Sequence, residues 1–121
     1  MVAIRPTTYT YKLIEETDEF TVNVPHTDMK EIVTYCGTAS GWNTKKFQEK
    51  KIPIEHGITV QTPIISNCIA HYECRVILKT KVTPNLIMQE IQNTHFQTRN
   101  YHTLYFGKIL ATLTEGKRLK E

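Results

Sequence analysis

The sequence lacks several features that would place it in a specialised class of proteins. Its three cysteines are an odd number without the spacing of a metal site, which argues against a disulfide scaffold and favours a reducing cytoplasm. No apolar run approaches the roughly 20 residues that a membrane helix needs. The apolar stretch within residues 1–6 is too short for a signal peptide. We therefore expect a cytoplasmic protein that does not cross a membrane.

Arrangements typical of catalysis by side chains alone are also missing. The five histidines show no metal-ligand spacing, and no Ser/His/Asp or Cys/His order indicates a nucleophile. His71 falls on the polar face of a predicted strand, where we expect a surface residue rather than a base. Cys36 follows an apolar stripe, and burial explains it more simply than reactivity does. The residues give no support to a hydrolase.

The charge of the chain is mild and its basic residues do not form an extended stripe. A net charge of +3 fits an anionic small ligand, whereas a nucleic-acid binder would usually carry a clustered basic surface. Four lysines collect at positions 45, 46, 50 and 51, interleaved only with Trp42 and Phe47 as aromatic neighbours. Nucleic-acid binding is therefore disfavoured.

Hydrophobic periodicity predicts one domain over residues 1–121, with long antiparallel strands, short helices and no β–α–β rhythm. This is a mainly β (α+β) chain, whose natural packing is a small closed or split barrel. Strands are predicted at 2–4, 20–24, 58–61 and 68–81, and at 101–113 as either a strand pair or one long bent strand, with Gly107 at a bulge or a close approach. Helices are predicted at 11–16, from Asp28 until Gly37, from near Asn43 or Thr44, and at 84–91.

Residues 37–47 carry the clearest binding signal. Two glycines and small hydroxyl residues allow positive φ and a close approach to a ligand. The turn leads into a predicted helix that begins with Lys45 and Lys46, so amide donors and positive charge are offered to an anion. From these residues alone, an ordinary corner between helices with solvated lysines is the simpler interpretation.

Five segments occur in a recognisable order along nearly the whole chain. They are Arg5-Pro6-Thr7-Thr8-Tyr9-Thr10, residues 20–24, Cys36-Gly37-Thr38-Ala39-Ser40-Gly41 with Lys46-Phe47, Glu73-Cys74-Arg75-Val76, and Tyr101-His102-Thr103-Leu104-Tyr105-Phe106-Gly107. Together they resemble the flavin reductase-like family of FMN-binding split barrels, which includes the flavoredoxins. The resemblance implies a homodimeric split β-barrel that holds FMN near the subunit interface.

The resemblance also implies which residues bind the cofactor. They are Arg5, Tyr9, Thr10, Ser40 and Lys46, where the guanidinium and ammonium groups suit the phosphate of FMN. Family members pass electrons or take hydride from NAD(P)H, so NAD(P)H is the implied electron donor. Because the cofactor carries the chemistry, no side chain is assigned a catalytic role.

The chain departs from the family pattern in two ways. Trp42-Asn43-Thr44-Lys45 stands where the family usually has Arg-Asp-x-Asp, and Lys108 stands where a glutamate commonly follows the glycine. The resemblance also implies that the sequence begins at the end of an early strand, so we expect it to correspond to the C-terminal two-thirds of the family domain, without the N-terminal third. An alternative function is therefore open: a non-catalytic oligomeric or partner-binding module that has lost FMN binding.

Overall fold

The structure is a computed structural model that describes residues 1–114 and 117–119. It contains an antiparallel main sheet and a small two-stranded sheet. The strands are β1 (Val2–Ile4), β2 (Glu19–Val24), β3 (Ile54–Glu55), β4 (Ile64–Ile65), β5 (Ala70–Lys81), β6 (Thr103–Thr114) and β7 (Lys117–Arg118). The main sheet has the order β1-β6-β5-β2, with β7 paired to the end of β6, and β3 pairs with β4.

Short helices connect the strands. They are α1 (Tyr9–Thr17), α2 (Lys30–Thr38), α3 (Lys46–Glu49) and α4 (Gln89–His95), with 3₁₀ turns at Thr27–Met29 and Pro84–Leu86. The side chain of Thr8 caps α1 by accepting the amide of Tyr11, and Asp18 ends it in the left-handed region with a φ of 54°. This tight ending turns the chain directly into β2. None of the helices in the described ranges has both the length and the apolar character of a membrane span.

The long strands β5 and β6 form the centre of the molecule. Their pairing shifts register at Glu73/Cys74 and again between Val76 and Leu78, as β-bulges do. Gly107 lies opposite Val76, where a Cβ atom would come within 2.6 Å of the Phe20 ring. The core consists mainly of Ile14, Ile52, Val60, Ile64, Cys68, Cys74, Tyr105, Ala111 and Leu113.

The structure confirms the predicted fold class at the level of secondary structure. The strands at 2–4, 20–24 and 68–81 are present, and 101–113 forms one long strand rather than a pair. The close approach at Gly107 is also confirmed. Cys68 and Cys74 are buried as small apolar residues.

Several predicted helix ends are wrong. α2 continues through Gly37 to Thr38, because the amide of Ala39 still donates to the Tyr35 carbonyl. Asp28 does not cap α2: a 3₁₀ turn precedes the helix, and its N-cap is Met29 without a side-chain bond. The basic helix α3 begins two to three residues later than predicted and has a single turn.

Two other elements also differ from their predictions. Residues 58–61 form bends instead of a strand, because the amides of Ile58, Thr59 and Val60 donate to the carboxylate of Glu73 rather than to a neighbouring strand. The predicted helix at 84–91 is a 3₁₀ turn followed by α4, and α4 extends to His95, into what we expected to be a connection.

The prediction that His71 lies at the surface is wrong. Its side chain is only 2% exposed, and Glu73 on the same predicted polar face is 0% exposed. Both faces of β5 are covered in this part of the sheet, and the bulge after Glu73 disrupts simple alternation. Buried polar side chains need internal partners, and both residues find theirs in other segments of the chain, which the strand pattern does not reveal.

Candidate functional site

The segment that leads into α1 packs against the turn before α3. The indole Nε1 of Trp42 donates to the carbonyl of Thr7 at 2.9 Å. The rings of Trp42 and Tyr9 meet edge to face with centroids 5.0 Å apart. The ammonium of Lys12 lies 5.7 and 5.8 Å from the two ring centroids. Two segments that the sequence predicts to bind one ligand are thus neighbours, and we call them the basic corner (residues 5–12 and 40–46).

Gly41 makes this packing possible through close approach rather than through unusual backbone angles. A Cβ atom at Gly41 would lie 2.9 Å from Cδ1 of Tyr9 and 3.0 Å from its Cβ. Neither Gly41 nor Gly37 has a positive φ. The turn closes on Ser40, whose carbonyl accepts the amides of Asn43 and Thr44 at 3.1 and 3.0 Å.

Lys46 is half-buried and reaches back to the preceding helix. Its Nζ donates to the carbonyl of Cys36 at 2.7 Å, within the last turn of α2. The last carbonyls of a helix have no intrahelical partners and carry partial negative charge, so a lysine there is favourable.

Arg5 lies on the other side of the corner against α4 and the start of β6. Its Nε is 3.4 Å from Nε2 of His102, and its Nη2 is 3.4 Å from the carbonyl of His95. The guanidinium carbon lies 5.8 Å from the centroid of the Phe96 ring. Burial, aided by the charge of Arg5, lowers the pKa of His102. His102 is therefore a neutral acceptor at neutral pH.

The structure brings some of the predicted cofactor residues together but joins none of them directly. Tyr9 packs on the turn that Ser40 opens. Thr10 is exposed in the first turn of α1, while Arg5 and Lys46 engage separate partners. Within residues 1–114 and 117–119, no hydrogen bond links any two of the five. Their roles toward a cofactor stay predictions.

Half-buried cations without acidic partners distinguish the basic corner. Arg5 and Lys46 are partly buried, yet the ion pairs seen among the described residues involve only Lys12, Arg75 and Lys79. A partly desolvated positive charge without a counter-charge is unfavourable, and a bound anion would supply that counter-charge.

A cavity of about 690 Å³ with a mixed polar and apolar lining lies elsewhere, between the start of α2 and the β3–β4 sheet. The sequence did not predict it, because the alternation of β5 places His71 at the surface. Asn23 and His71 occupy directly opposite positions on β2 and β5, a pairing between segments 48 residues apart for which the sequence carries no local signal. The cavity is lined by His26, Asp28, Met29, Ile32, Pro53, Glu55, Ser66, Asn67, Cys68 and His71.

Comparison with known proteins gives a family match over almost the entire chain. The model of the family described as flavin reductase like domain matches residues 1–120. An uncharacterized protein of Archaeoglobus fulgidus is 32% identical over 120 residues, which is 99% of this chain and 58% of that protein. The chain therefore spans little more than half the length of this relative.

Solved structures agree with the family match. The FMN-binding protein from Thermus thermophilus with bound 1-cyclohex-2-enone superposes with a TM-score of 0.71 at 22% identity, covering 94% of this chain and 52% of that chain. Flavoredoxin from Methanosarcina acetivorans gives a TM-score of 0.70 at 25% identity, covering 97% and 56%. These likenesses confirm the predicted split-barrel fold class.

Proposed function

Because the chain belongs to the flavin reductase-like domain family, we propose that it binds FMN and takes part in electron transfer or in NAD(P)H-dependent flavin reduction. The observation that carries this proposal is the pair of half-buried cations, Arg5 and Lys46, which have no acidic partner among the described residues. They lie on two segments that pack together, at a place where the FMN phosphate supplies the missing negative charge.

Each residue of the proposed site has a binding or orienting task. Arg5 and Lys46 bind the phosphate, the hydroxyl groups of Thr10 and Ser40 donate to its oxygens, and Tyr9 fixes the turn at Ser40. Lys46 leaves the Cys36 carbonyl for the phosphate, since a dianion is a stronger acceptor than a carbonyl oxygen. When bound, the flavin supplies the hydride and electron chemistry.

Titration with FMN and with riboflavin tests the phosphate site, because the two flavins differ only in the phosphate. Quenching of flavin fluorescence gives both affinities. We expect Arg5→Gln and Lys46→Gln each to weaken FMN binding about tenfold, since a hydrogen bond to a charged group contributes about 1.5–3 kcal/mol. Riboflavin binding stays unchanged in both variants.

Lys30→Gln provides the matched control, because it removes one exposed lysine outside the basic corner. It leaves both affinities as they are in the wild type. Equal affinity of the wild type for FMN and riboflavin would contradict the phosphate site. Colourless purified protein that does not quench added FMN would contradict flavin binding altogether.

We assign the donor and the compartment as part of the same proposal. NAD(P)H is the donor class, and anaerobic bleaching of bound FMN by NADH or by NADPH identifies which of the two is used. The three free cysteines favour a reducing cytoplasm.

A homodimer is supported by apolar side chains that remain exposed on the main sheet. Leu78 on β5 is 55% exposed, and Phe106, directly opposite on β6, is 36% exposed. Neighbouring apolar exposure of this kind marks association surfaces. The same feature favours the second candidate, a partner-binding module without FMN. Gel filtration with absorbance detection separates them: one flavin retained per subunit of a dimer supports the homodimeric flavoprotein and contradicts the module.

A further inference from the structure

One side chain in the lining of the cavity beside β5, that of His71, keeps a ring nitrogen for which the described residues show no hydrogen bond. His71 lines the cavity, and only 2% of its surface is exposed. Its Nδ1 lies 2.8 Å from Oδ1 of Asn23, and in the described part of the chain the hydrogen bonds of its ring involve Nδ1 alone. The side chain of His71 is thus held in place by Asn23, while its other nitrogen, Nε2, is the one left for a ligand in the cavity.

The hydrogen bonds around Asn23 determine which ring nitrogen carries the proton. The amide of Ile65 donates to Oδ1 of Asn23 at 3.0 Å, and Nδ2 of Asn23 donates to Oγ1 of Thr21. These two bonds fix the orientation of the Asn23 amide group, with its oxygen toward His71. This oxygen, Oδ1, therefore accepts a hydrogen bond from the Nδ1–H group of His71. In the neutral ring the other nitrogen, Nε2, is then an acceptor. Burial lowers the pKa of His71, against the opposing charges of Glu55 and Glu73, so the neutral ring persists at neutral pH.

The rest of the lining adds acceptors and negative charge. Asp28 and Glu55 contribute carboxylates, and neither forms an ion pair with any residue in 1–114 or 117–119. Burial raises the pKa of the Cys68 thiol, so it adds no negative charge at neutral pH. Met29 and Ile32 supply an apolar wall. The complementary ligand has a positive group that donates hydrogen bonds and an apolar body.

Two other ligand classes fit less well. In the described ranges, no group of three or more His, Cys, Asp or Glu side chains is placed to hold a metal ion. A phosphate or carboxylate would meet Asp28 and Glu55 without a lining cation, and like charges at short range repel. The cavity shares no lining residue with the five predicted cofactor residues.

We propose that this cavity is a second binding site, selective for small organic ammonium compounds with an apolar body. The ammonium group donates to Nε2 of His71 and pairs with the carboxylates of Asp28 and Glu55. The apolar body packs against Met29 and Ile32. The proposal rests on the cavity itself and does not depend on flavin binding.

Three probes of one size and different charge test the proposal on the full chain: benzylammonium, benzyl alcohol and benzoate. Titration calorimetry gives their affinities, and ¹H–¹⁵N correlation spectra locate the binding site. We expect benzylammonium to bind about tenfold more tightly than benzyl alcohol, because its hydrogen bonds are charge-assisted. Benzoate binds more weakly than either. Benzylammonium also shifts the ¹⁵N resonance of His71 Nε2, which benzoate leaves unchanged.

Glu55→Gln lowers the affinity for benzylammonium about threefold, the value of one exposed ion pair, and Glu90→Gln on α4 leaves it unchanged. Saturating FMN also leaves it unchanged. The proposal is overturned if the three probes bind alike, if benzoate binds best, or if FMN competes with benzylammonium. Resonance shifts confined to Tyr9 and Trp42 would overturn it as well, because they would place the probe on the aromatic rings of the basic corner.

Discussion

Two loops of this protein each lie beside a charged side chain, and they use that charge in opposite ways. In the first loop, residues 57–60, three consecutive amides converge on one buried carboxylate, that of Glu73. The amides of Thr59 and Val60 lie 2.7 and 3.1 Å from Oε1, and the amide of Ile58 lies 2.9 Å from Oε2. The hydroxyl of Thr59 adds a further bond to Oε1 at 2.9 Å. The negative charge of Glu73 is therefore engaged by hydrogen bonds within the fold.

In the second loop, residues 40–46, the amides and the charge are kept apart. The amides of Asn43 and Thr44 turn inward to the Ser40 carbonyl, while Lys46 reaches away to Cys36. No carboxylate in the described part of the chain neutralises Lys46. The comparison shows that a charge whose hydrogen bonds are complete stabilises a loop, whereas a charge with an incomplete set remains available to a ligand.

Glu73→Gln is the substitution that breaks the first loop. An amide cannot accept at both of its ends, so at least one amide of residues 58–60 loses its acceptor and meets an NH₂ group instead; among the described residues Ile58 is the only donor to Oε2, through a part-buried bond. We expect the free energy of unfolding to fall by about 2 kcal/mol, from the loss of one charge-assisted bond. Urea unfolding followed by circular dichroism measures this change.

Glu90→Gln is its control, because Glu90 lies exposed at the start of α4. A surface change of this kind alters stability by less than about 0.5 kcal/mol. If the two variants lose equal stability, the carboxylate of Glu73 does not organise the loop.

Acid should weaken the first loop selectively. Burial by itself would raise the pKa of Glu73, but the hydrogen bonds from residues 58–60 outweigh it and lower the pKa below its ordinary value of 4.5. A carboxyl group whose pKa is lower in the folded state adds stability above the pKa of the unfolded state, and that stability is lost as the pH falls through the folded pKa. The stability difference between wild type and Glu73→Gln should therefore be constant near pH 7 and shrink below pH 4.5. A difference that stays constant down to the folded pKa would show that the charge of Glu73 is irrelevant.

The parts of the fold that the sequence predicts are those fixed by local pattern. The alternating strand at 20–24, the strand at 2–4 and the close approach at Gly107 are present because period-two alternation and an isolated strand glycine are compatible with few other local structures. Helix ends were less predictable. α2 passes through Gly37 because nothing there requires a left-handed residue, and its end is determined by bonds to Thr34 and Tyr35.

The misassigned residues of β5 depended on contacts between distant segments. His71 meets Asn23, 48 positions away, and Glu73 meets a loop 13 to 15 residues before it. Neither partner follows from the alternation of β5, so His71 was predicted to lie at the surface and Glu73 to share its polar face. The basic corner was predictable only as two separate segments. That they touch depends on the bond between Trp42 and Thr7, which no local pattern implies.

The two glycines at the second loop and just before it offer the smallest and sharpest test of the comparison. The sequence assigns Gly37 and Gly41 the same role, but a Cβ atom at Gly41 would press on Tyr9, and one at Gly37 would meet nothing within 4 Å. We expect Gly41→Ala to lower the free energy of unfolding by about 1–2 kcal/mol through overpacking. Gly37→Ala, inside α2, should raise it by about 0.5 kcal/mol through helix propensity. Thermal unfolding of both variants measures the difference.

The same two substitutions should also differ in FMN binding. Because Tyr9 must shift when Gly41 gains a methyl group, Gly41→Ala should weaken FMN binding, while Gly37→Ala leaves it unchanged. Equal effects of the two substitutions would show that the turn is not held by Tyr9.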